Sequence, residues 1–293
     1  MKAKDNKHRI KCPNCNSSPT FQRFNCDEFQ IYFCKKCLNG FTYPVPKNIG
    51  QYYNDSYWIP KGFLGILKKT MYHLFQLRRK YWIMDFLKKG RILDVGAGEA
   101  IFSKFLNKNF EATSLDLPSA KIQNPDVIKT DFLTWKPKIK FDAVVFWESL
   151  EHTVSPHEYI KKAASILNDG GYLFVEYPRA DCLESHIFKR FWYHLDPPRH
   201  LSHLTPKGLE KILTRSKFRS ISHSGVPAFE YTITGFIAST LNLFPSRPID
   251  FFKDSNNSIF LILLFPLIII STFVEICFFI VGQSPIYLTV AKK

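Results

Sequence analysis

Apolar and polar positions follow two rhythms along these 293 residues, and the places where the rhythm changes outline the fold. Near the N-terminus the pattern is short and strand-like, as in FQRFNCDEFQIYF over residues 21–33. Residues 63–88 (FLGILKKTMYHLFQLRRKYWIMDFLK) switch to helical spacing, with Lys68, Lys69, Arg78, Arg79 and Lys80 set among Leu, Phe and Trp. They predict an amphipathic helix that covers the next domain with its basic face in water, or one that touches a membrane surface. From Arg91 onward, strand-like runs at 91–95, 111–117, 127–132, 141–147, 172–177, 219–229 and 284–291 alternate with helical ones. Such alternation implies a largely parallel sheet covered on both faces. Phe141 to Trp147, apolar throughout after Asp142, belongs at its centre.

The first of these strands breaks into Gly96-Ala97-Gly98, after which Ala100, Ile101, Phe102, Phe105 and Leu106 resume at helical spacing. Strand, glycine turn and helix open a nucleotide-binding βαβ unit, because glycine lets backbone approach a ligand that a Cβ would exclude. A dinucleotide fingerprint would require a small residue where Ile101 stands. The alternative, acidic-x-G-x-G-x-small, fits Asp94, Gly96, Gly98 and Ala100. It resembles motif I of the class I S-adenosylmethionine (SAM) dependent methyltransferases, with Ala in place of the usual third Gly. Asp116 closes the second strand, where a carboxylate can accept both ribose hydroxyls. Asp131-Phe132 closes the third, placed to hydrogen-bond the adenine amino group and cover its face.

Charge changes the picture in the first third only. Residues 1–91 carry 18 Lys and Arg against 5 Asp and Glu, whereas residues 92–293 carry 22 against 20. The net +15 therefore sits mainly at the N-terminal end and suggests an anionic partner there. A hydrophobic content of 45% excludes a disordered chain. The opening MKAKDNKHRIK has no apolar segment of the secretory kind, which points to a reducing, cytoplasmic compartment. There the pairs Cys12/Cys15 and Cys34/Cys37, 18 residues apart, read as a structural zinc site with four thiolates and no open position. A ribbon of this size depends on its metal for folding. Cys26, Cys182 and Cys277 read as ordinary buried thiols.

Further motifs narrow the group. Leu150-Glu151-His152 follows the fourth strand, NDGGYLFVEYP spans residues 168–178, and PRHLSHLTPKGL spans 198–209. Together with the paired CxxC turns and the Pro- and Tyr-rich stretch after them, these resemble the broad bacterial group of class I methyltransferases that includes the ubiquinone-pathway O-methyltransferases. Some zinc-ribbon sugar C-methyltransferases share the arrangement. The resemblance implies a Rossmann-like α/β fold with a seven-stranded sheet, its last strand antiparallel beside the sixth. The expected divisions are a zinc ribbon (1–46), linker and basic helix (47–90), SAM-binding domain (91–231), apolar insertion (232–282) and last strand (283–293).

In this reading Asp94, Gly96 and Gly98 cradle the methionine part of SAM, Asp116 the ribose, and Asp131 and Phe132 the adenine. Candidate bases are His152 at the carboxyl edge of the sheet and His200 or His203 in the following loop, with Arg199 available for an anionic substrate group. Phe146-Trp-Glu-Ser149 stands where enzymes that methylate planar amino groups carry Asn/Asp-Pro-Pro-aromatic, which disfavours such acceptors. The insertion holds a 13-residue apolar run (232–244) and a 23-residue one (259–281), the second interrupted by Pro266, Ser271, Thr272 and Glu275. Its length would suffice to span a bilayer, but the last strand must return to the sheet, and Glu275 opposes burial in lipid. The favoured reading is an insertion lying in the membrane interface; a span and a dimer or lid surface are the alternatives. The expected acceptor is a small molecule: a lipid-linked or nucleotide-linked sugar, or a quinone-like lipid. RNA gripped by the ribbon, with Phe21, Phe24, Tyr32 and Phe33 stacking bases, is the alternative, as is a SAM-binding protein without catalysis.

Overall fold

The computed structural model describes residues 10–17, 20–52, 62–244 and 258–293. Parts of the expected linker (53–61) and insertion (245–257) lie outside the described residues.

Seven strands form the main sheet: β4 (Gly90–Val95), β5 (Phe110–Asp116), β6 (Val127–Lys129), β7 (Phe141–Trp147), β8 (Leu167–Pro178), β10 (Arg219–Gly225) and β11 (Ile286–Lys292). Their spatial order is β10-β11-β8-β7-β4-β5-β6. β4 to β8 run parallel, and β11 lies antiparallel between β8 and β10, as expected for the last strand. The central strand explains the two-layer core. On β7, Val144 and Phe146 face one apolar cluster under α3 (Pro156–Ile166) and α5 (Pro206–Arg215). Ala143, Val145 and Trp147 face the other, under α1 (Gly62–Phe86) and near α2 (Ile101–Phe105). Alternation of side chains along a strand buried on both faces requires this division.

Two strand boundaries differ from expectation. β6 stops at Lys129 because Asp131 turns the chain, its Oδ1 accepting the Leu133 N–H at 2.7 Å. β8 begins at Leu167 and takes in the expected turn at 168–171 as an irregularity, with Phe141 paired to Leu167 but Ala143 to Tyr172.

The ribbon is a second sheet of β1 (Thr20–Cys26), β2 (Phe29–Cys34) and β3 (Gly40–Tyr43), antiparallel throughout. Its fourth strand comes from elsewhere: β9 (Ser202–His203), in the segment that follows Pro198, pairs with β3. The expected boundary at residue 46 is thus crossed by main-chain hydrogen bonds. Asn39, fully buried, accepts the Thr205 N–H at 3.0 Å, and Thr205 caps α5 through the Gly208 N–H. A Cβ at Gly208 would meet Asn39 Oδ1 at 2.1 Å, so this closeness depends on glycine.

The basic face of α1 is not wholly solvated. Arg79 is buried, its Nε donating to Glu176 Oε2 at 2.6 Å, and Arg78 donates from Nη1 to the Pro227 carbonyl. Phe75 and Ile83 on the same helix join the core, so the helix seats itself apolar side first and carries its arginines inward. The insertion forms α6 (Phe229–Leu241) and α7 (Ser258–Ile280), which pack on each other through Phe229 and Phe279. α4 (Leu183–Phe188) lies beside α6, with the Phe188 and Phe236 rings 5.1 Å apart. Among the described residues, no helix is long and apolar enough to cross a membrane. Of the three cysteines outside the pairs, Cys182 is buried while Cys26 and Cys277 are half-buried.

Candidate active site

The carboxyl ends of β4, β5 and β7 converge on the glycine turn. Gly96 and Gly98 both have positive φ, +78° and +54°. A Cβ on Gly96 would lie 2.5 Å from Ser149 Cβ, so only glycine permits the turn to sit against the segment after β7. Ala100 also adopts φ +53°, a left-handed conformation where glycine is the comfortable residue. Asp116 ties the turn to β5: Oδ2 accepts the Gly98 N–H at 2.8 Å and Oδ1 the Leu117 N–H at 2.7 Å. An ionised carboxylate has about four acceptor positions, so about two remain available to a ligand. Asp94 is buried, and among the described residues its Oδ1 has no hydrogen-bond partner. Burial pushes its carboxyl up to about 7, with Arg79 opposing and Asp116 adding to the rise. An orphaned carboxylate beside a glycine cradle fits a cationic ligand such as SAM.

The Phe132 ring corrects the expectation that it covers the adenine. It is buried in the core, stacked 5.6 Å from Tyr159 and edge-on to Phe146. The ring supports the end of β6 from below, and Asp131 alone of the pair has a half-exposed side chain.

Directly beyond Ser149, whose hydroxyl donates to the Val95 carbonyl at 2.6 Å, a single turn of 3-10 helix carries Glu151 and His152. His152 Nδ1 donates to the Arg199 carbonyl and His200 Nδ1 to the His194 carbonyl, each at 2.9 Å. A carbonyl can only accept, so both imidazoles place their lone pair on Nε2. Their rings stand edge-on, 4.8 Å apart. Glu151 is buried beside them with neither carboxyl oxygen hydrogen-bonded among the described residues. The three side chains offer ligand atoms within 4.8 Å of one another, a set that could hold a metal ion or share a proton. Burial, with the neighbouring His200, lowers His152 to about 3, while burial lowers His200 to about 4, so both are neutral near pH 7. Burial raises Glu151, and the nearby Glu148 adds to this.

His203 stands apart. Thr42 donates its hydroxyl to the His200 carbonyl at 2.6 Å, and the same oxygen lies 3.0 Å from His203 Nε2. The hydroxyl has one hydrogen, so His203 must donate from Nε2, the opposite tautomer. It is a buried strut of the ribbon seam. Arg199 pairs with Asp196 at 2.8 Å, and Asp196 Oδ2 lies 3.9 Å from His200 Nε2.

Sequence reasoning passed over Glu151 as a site residue although it adjoins His152, and it missed the charge centre of Arg79, Glu176 and Glu148. Arg79 Nη2 contacts Glu176 and lies 3.7 Å from Glu148, and its guanidinium sits over Trp147. Nothing in the spacing of residues 79, 148 and 176 announces their meeting.

In the ribbon, Cys12 and Cys37 Sγ lie 3.5 Å apart, as do Cys15 and Cys34. All four sulfurs fall within 4.8 Å of one another and could hold zinc, whose roughly 2.3 Å bonds to sulfur suit this spacing. Of the four aromatics expected to stack bases, only Phe21 is exposed; Phe33 is buried and Phe24 and Tyr32 are half-buried. A groove of about 310 Å³ runs along the seam, lined by Lys11, Phe41, Tyr43, Val154 and Leu201 among others.

A family profile described as a methyltransferase domain matches residues 68–223, more than half of the chain. The chain belongs to this methyltransferase family. The match takes in the glycine turn, Asp116, Asp131, Glu151, His152 and the Pro198–Leu209 segment. A SAM-dependent methyltransferase from Archaeoglobus fulgidus superposes over 79% of this chain and 100% of its own with TM-score 0.50 at 18% identity. A phosphoethanolamine N-methyltransferase from Haemonchus contortus, in complex with SAM, is similar over 83% of this chain and 55% of its own (TM-score 0.47, 15% identity). A SAM-dependent methyltransferase from Thermotoga maritima is similar over 78% and 96% (TM-score 0.43, 12% identity). A search of curated proteins finds no match. The family, together with the class I strand order, makes this methyltransferase SAM-dependent.

Proposed function

We propose that this methyltransferase acts on a small-molecule acceptor at the cytoplasmic face of a membrane, the acceptor being a lipid-linked or nucleotide-linked sugar or a quinone-like lipid. The observation that carries the reading is the contact between the glycine turn and the turn bearing Glu151 and His152, joined through Ser149. It supports the reading by bringing two imidazoles, neutral near pH 7, close to the glycine turn. Bound SAM supplies a sulfonium-linked methyl group, and the protein's part is alignment and proton removal. Asp94, Gly96 and Gly98 hold the methionine end, Asp116 the ribose and Asp131 the adenine amino group. His152 Nε2 takes the acceptor's proton, with His200 beside it and Asp196 close enough to offset the positive charge that forms. Arg199 holds an anionic group of the acceptor. The apolar groove along the ribbon seam, with Lys11 at its wall, supports an acceptor with an apolar or planar part and a negative charge. Cys12, Cys15, Cys34 and Cys37 hold a structural zinc ion that keeps this wall in place.

The test is a screen with methyl-labelled SAM against lipid, sugar-nucleotide and RNA fractions. Label is expected in the lipid or sugar-nucleotide fraction, and His152→Ala should lower turnover by about two to four orders of magnitude while SAM still binds. Label confined to RNA would overturn the acceptor class, and unchanged turnover in the variant would remove His152 as the base.

A further inference from the structure

Helix α7 is built inside out. Among its described side chains the buried positions are polar: Ser271 and Glu275, one turn apart, are closed off beneath it. Its outward positions are large and apolar, with Phe265, Ile269, Phe273, Ile276 and Ile280 following at helical spacing, and Phe273 and Ile280 69% and 74% exposed. The same molecule contains the opposite case. Helix α5 buries Leu209, Ile212 and Leu213 and turns Lys207, Glu210, Lys211 and Arg215 to water. A water-facing helix follows the second pattern. Polar groups turned inward and bulky apolar groups turned outward are the arrangement of a helix that meets lipid.

The outward stripe does not stand alone. α6, against which α7 packs, is followed by exposed Leu243 and Phe244, and α4 presents exposed Leu183 and Ile187. Ile187 and Leu243 line one groove of about 400 Å³ together with Phe24, Arg23, Lys189 and Arg190. Lys189 and Arg190 are exposed, and the Arg23 guanidinium is held over the Phe24 and Phe33 rings at 5.0 and 4.8 Å. An apolar surface edged by basic groups matches a leaflet of anionic lipid, whose acyl region takes the apolar side chains and whose phosphates take the cations. A second copy of the chain is a poorer occupant, because a two-fold contact would bring the basic groups of both patches into one interface.

We infer that the outward face of α7, with the ends of α4 and α6 and the basic groove of Arg23, Lys189 and Arg190, is a docking surface for an anionic bilayer. The helix lies in the plane of the interface. The inference rests on the membrane-face reading proposed above and identifies the surface and the lipid chemistry that would carry it.

The experiment is co-sedimentation of the full-length protein with vesicles of phosphatidylcholine alone or mixed equally with phosphatidylglycerol. Binding is expected to the mixed vesicles, weakened on the order of tenfold or more by Lys189→Glu with Arg190→Glu, and abolished by Ile269→Asp with Phe273→Asp. SAM binding by calorimetry checks that each variant is folded, and the charge variants, being at exposed positions, serve where the apolar pair does not fold. Absence of binding to mixed vesicles, or binding unchanged in both double variants, would overturn the inference. So would conversion of a dimer to a monomer by the apolar pair in size-exclusion chromatography, since the patch would then belong to a second copy. Methyl transfer to a water-soluble acceptor is measured separately, so failure to dock is distinguishable from failure of the proposed reaction.

Discussion

Buried carboxylates gather in two regions of this methyltransferase, and their surroundings differ. At the carboxyl edge of the sheet, Glu176 is fully buried but paired with Arg79, which also approaches Glu148 and lowers the rise at Asp94. Beneath α6 and α7, Glu184 and Glu275 are as deeply buried, and among the described residues neither has an ion-pair partner. Trp192 Nε1 donates to Glu184 at 3.1 Å, and burial pushes both acids upward, most strongly Glu184, with Glu275 adding to its rise. At the sheet edge Arg79 thus supplies a cation that pairs with Glu176 and opposes the effect of burial on Asp94. In the helix pair, burial shifts both acids toward the protonated form, the cheaper state away from any cation among the described residues. The first arrangement suits a site that must receive a positively charged ligand; the second suits a joint between helices.

The comparison can be broken most directly at Arg79. Arg79→Met should destabilise the protein by about 3–5 kcal/mol in urea denaturation, since buried Glu176 would lose its hydrogen-bonded cation and keep the longer 3.9 Å approach of Arg78. A second change, Glu176→Met, should return much of that loss; a cost under about 1 kcal/mol for the single variant would show that the edge resolvates. Next in size is Asp116→Ala, expected to weaken SAM by roughly ten- to a hundredfold in calorimetry, as charge-assisted hydrogen bonds are lost. An unchanged isotherm would remove Asp116 from the SAM site.

pH separates the two regions further. Glu275 rises from 4.5 to about 7 on folding, chiefly by burial. The folded state then holds its proton where the unfolded chain has lost it, so the stability it contributes is complete below pH 4.5 and is lost as pH rises through about 7. Glu275→Gln should flatten that part of the stability curve, and a variant with the same slope would contradict protonation of the helix pair. At the sheet edge, Asp94 titrates near 7, so SAM should bind more tightly as pH rises through that value and Asp94 ionises. The smallest effect follows: Asp94→Asn should remove this modest pH dependence, read by calorimetry at pH 6 and pH 8.

The glycine turn and the strands around it were largely legible because they are built from local backbone. A strand, a glycine turn and a helix lie within 16 residues from Arg91, and each acidic residue stands at a strand end that the apolar pattern marks. Phe132 was misjudged for a reason pattern cannot supply: the ring's direction is chosen by Tyr159 and Phe146, which reach it from other elements. The three histidines looked equivalent in sequence. Hydrogen bonding separates them, because carbonyls from Arg199 and His194 set one tautomer in His152 and His200, while Thr42 of the ribbon sets the other in His203.

By itself, the sequence determined the class of fold, the cysteine cluster and the glycine turn, all features encoded in periodicity and short spacing. Tertiary structure alone decided that β9 joins the ribbon sheet, that Arg79 turns inward to Glu176, and that α7 faces its polar residues inward. These depend on contacts between residues tens to more than a hundred positions apart. Helical spacing places residues on one face but does not say which face is buried; only the surface it packs against does.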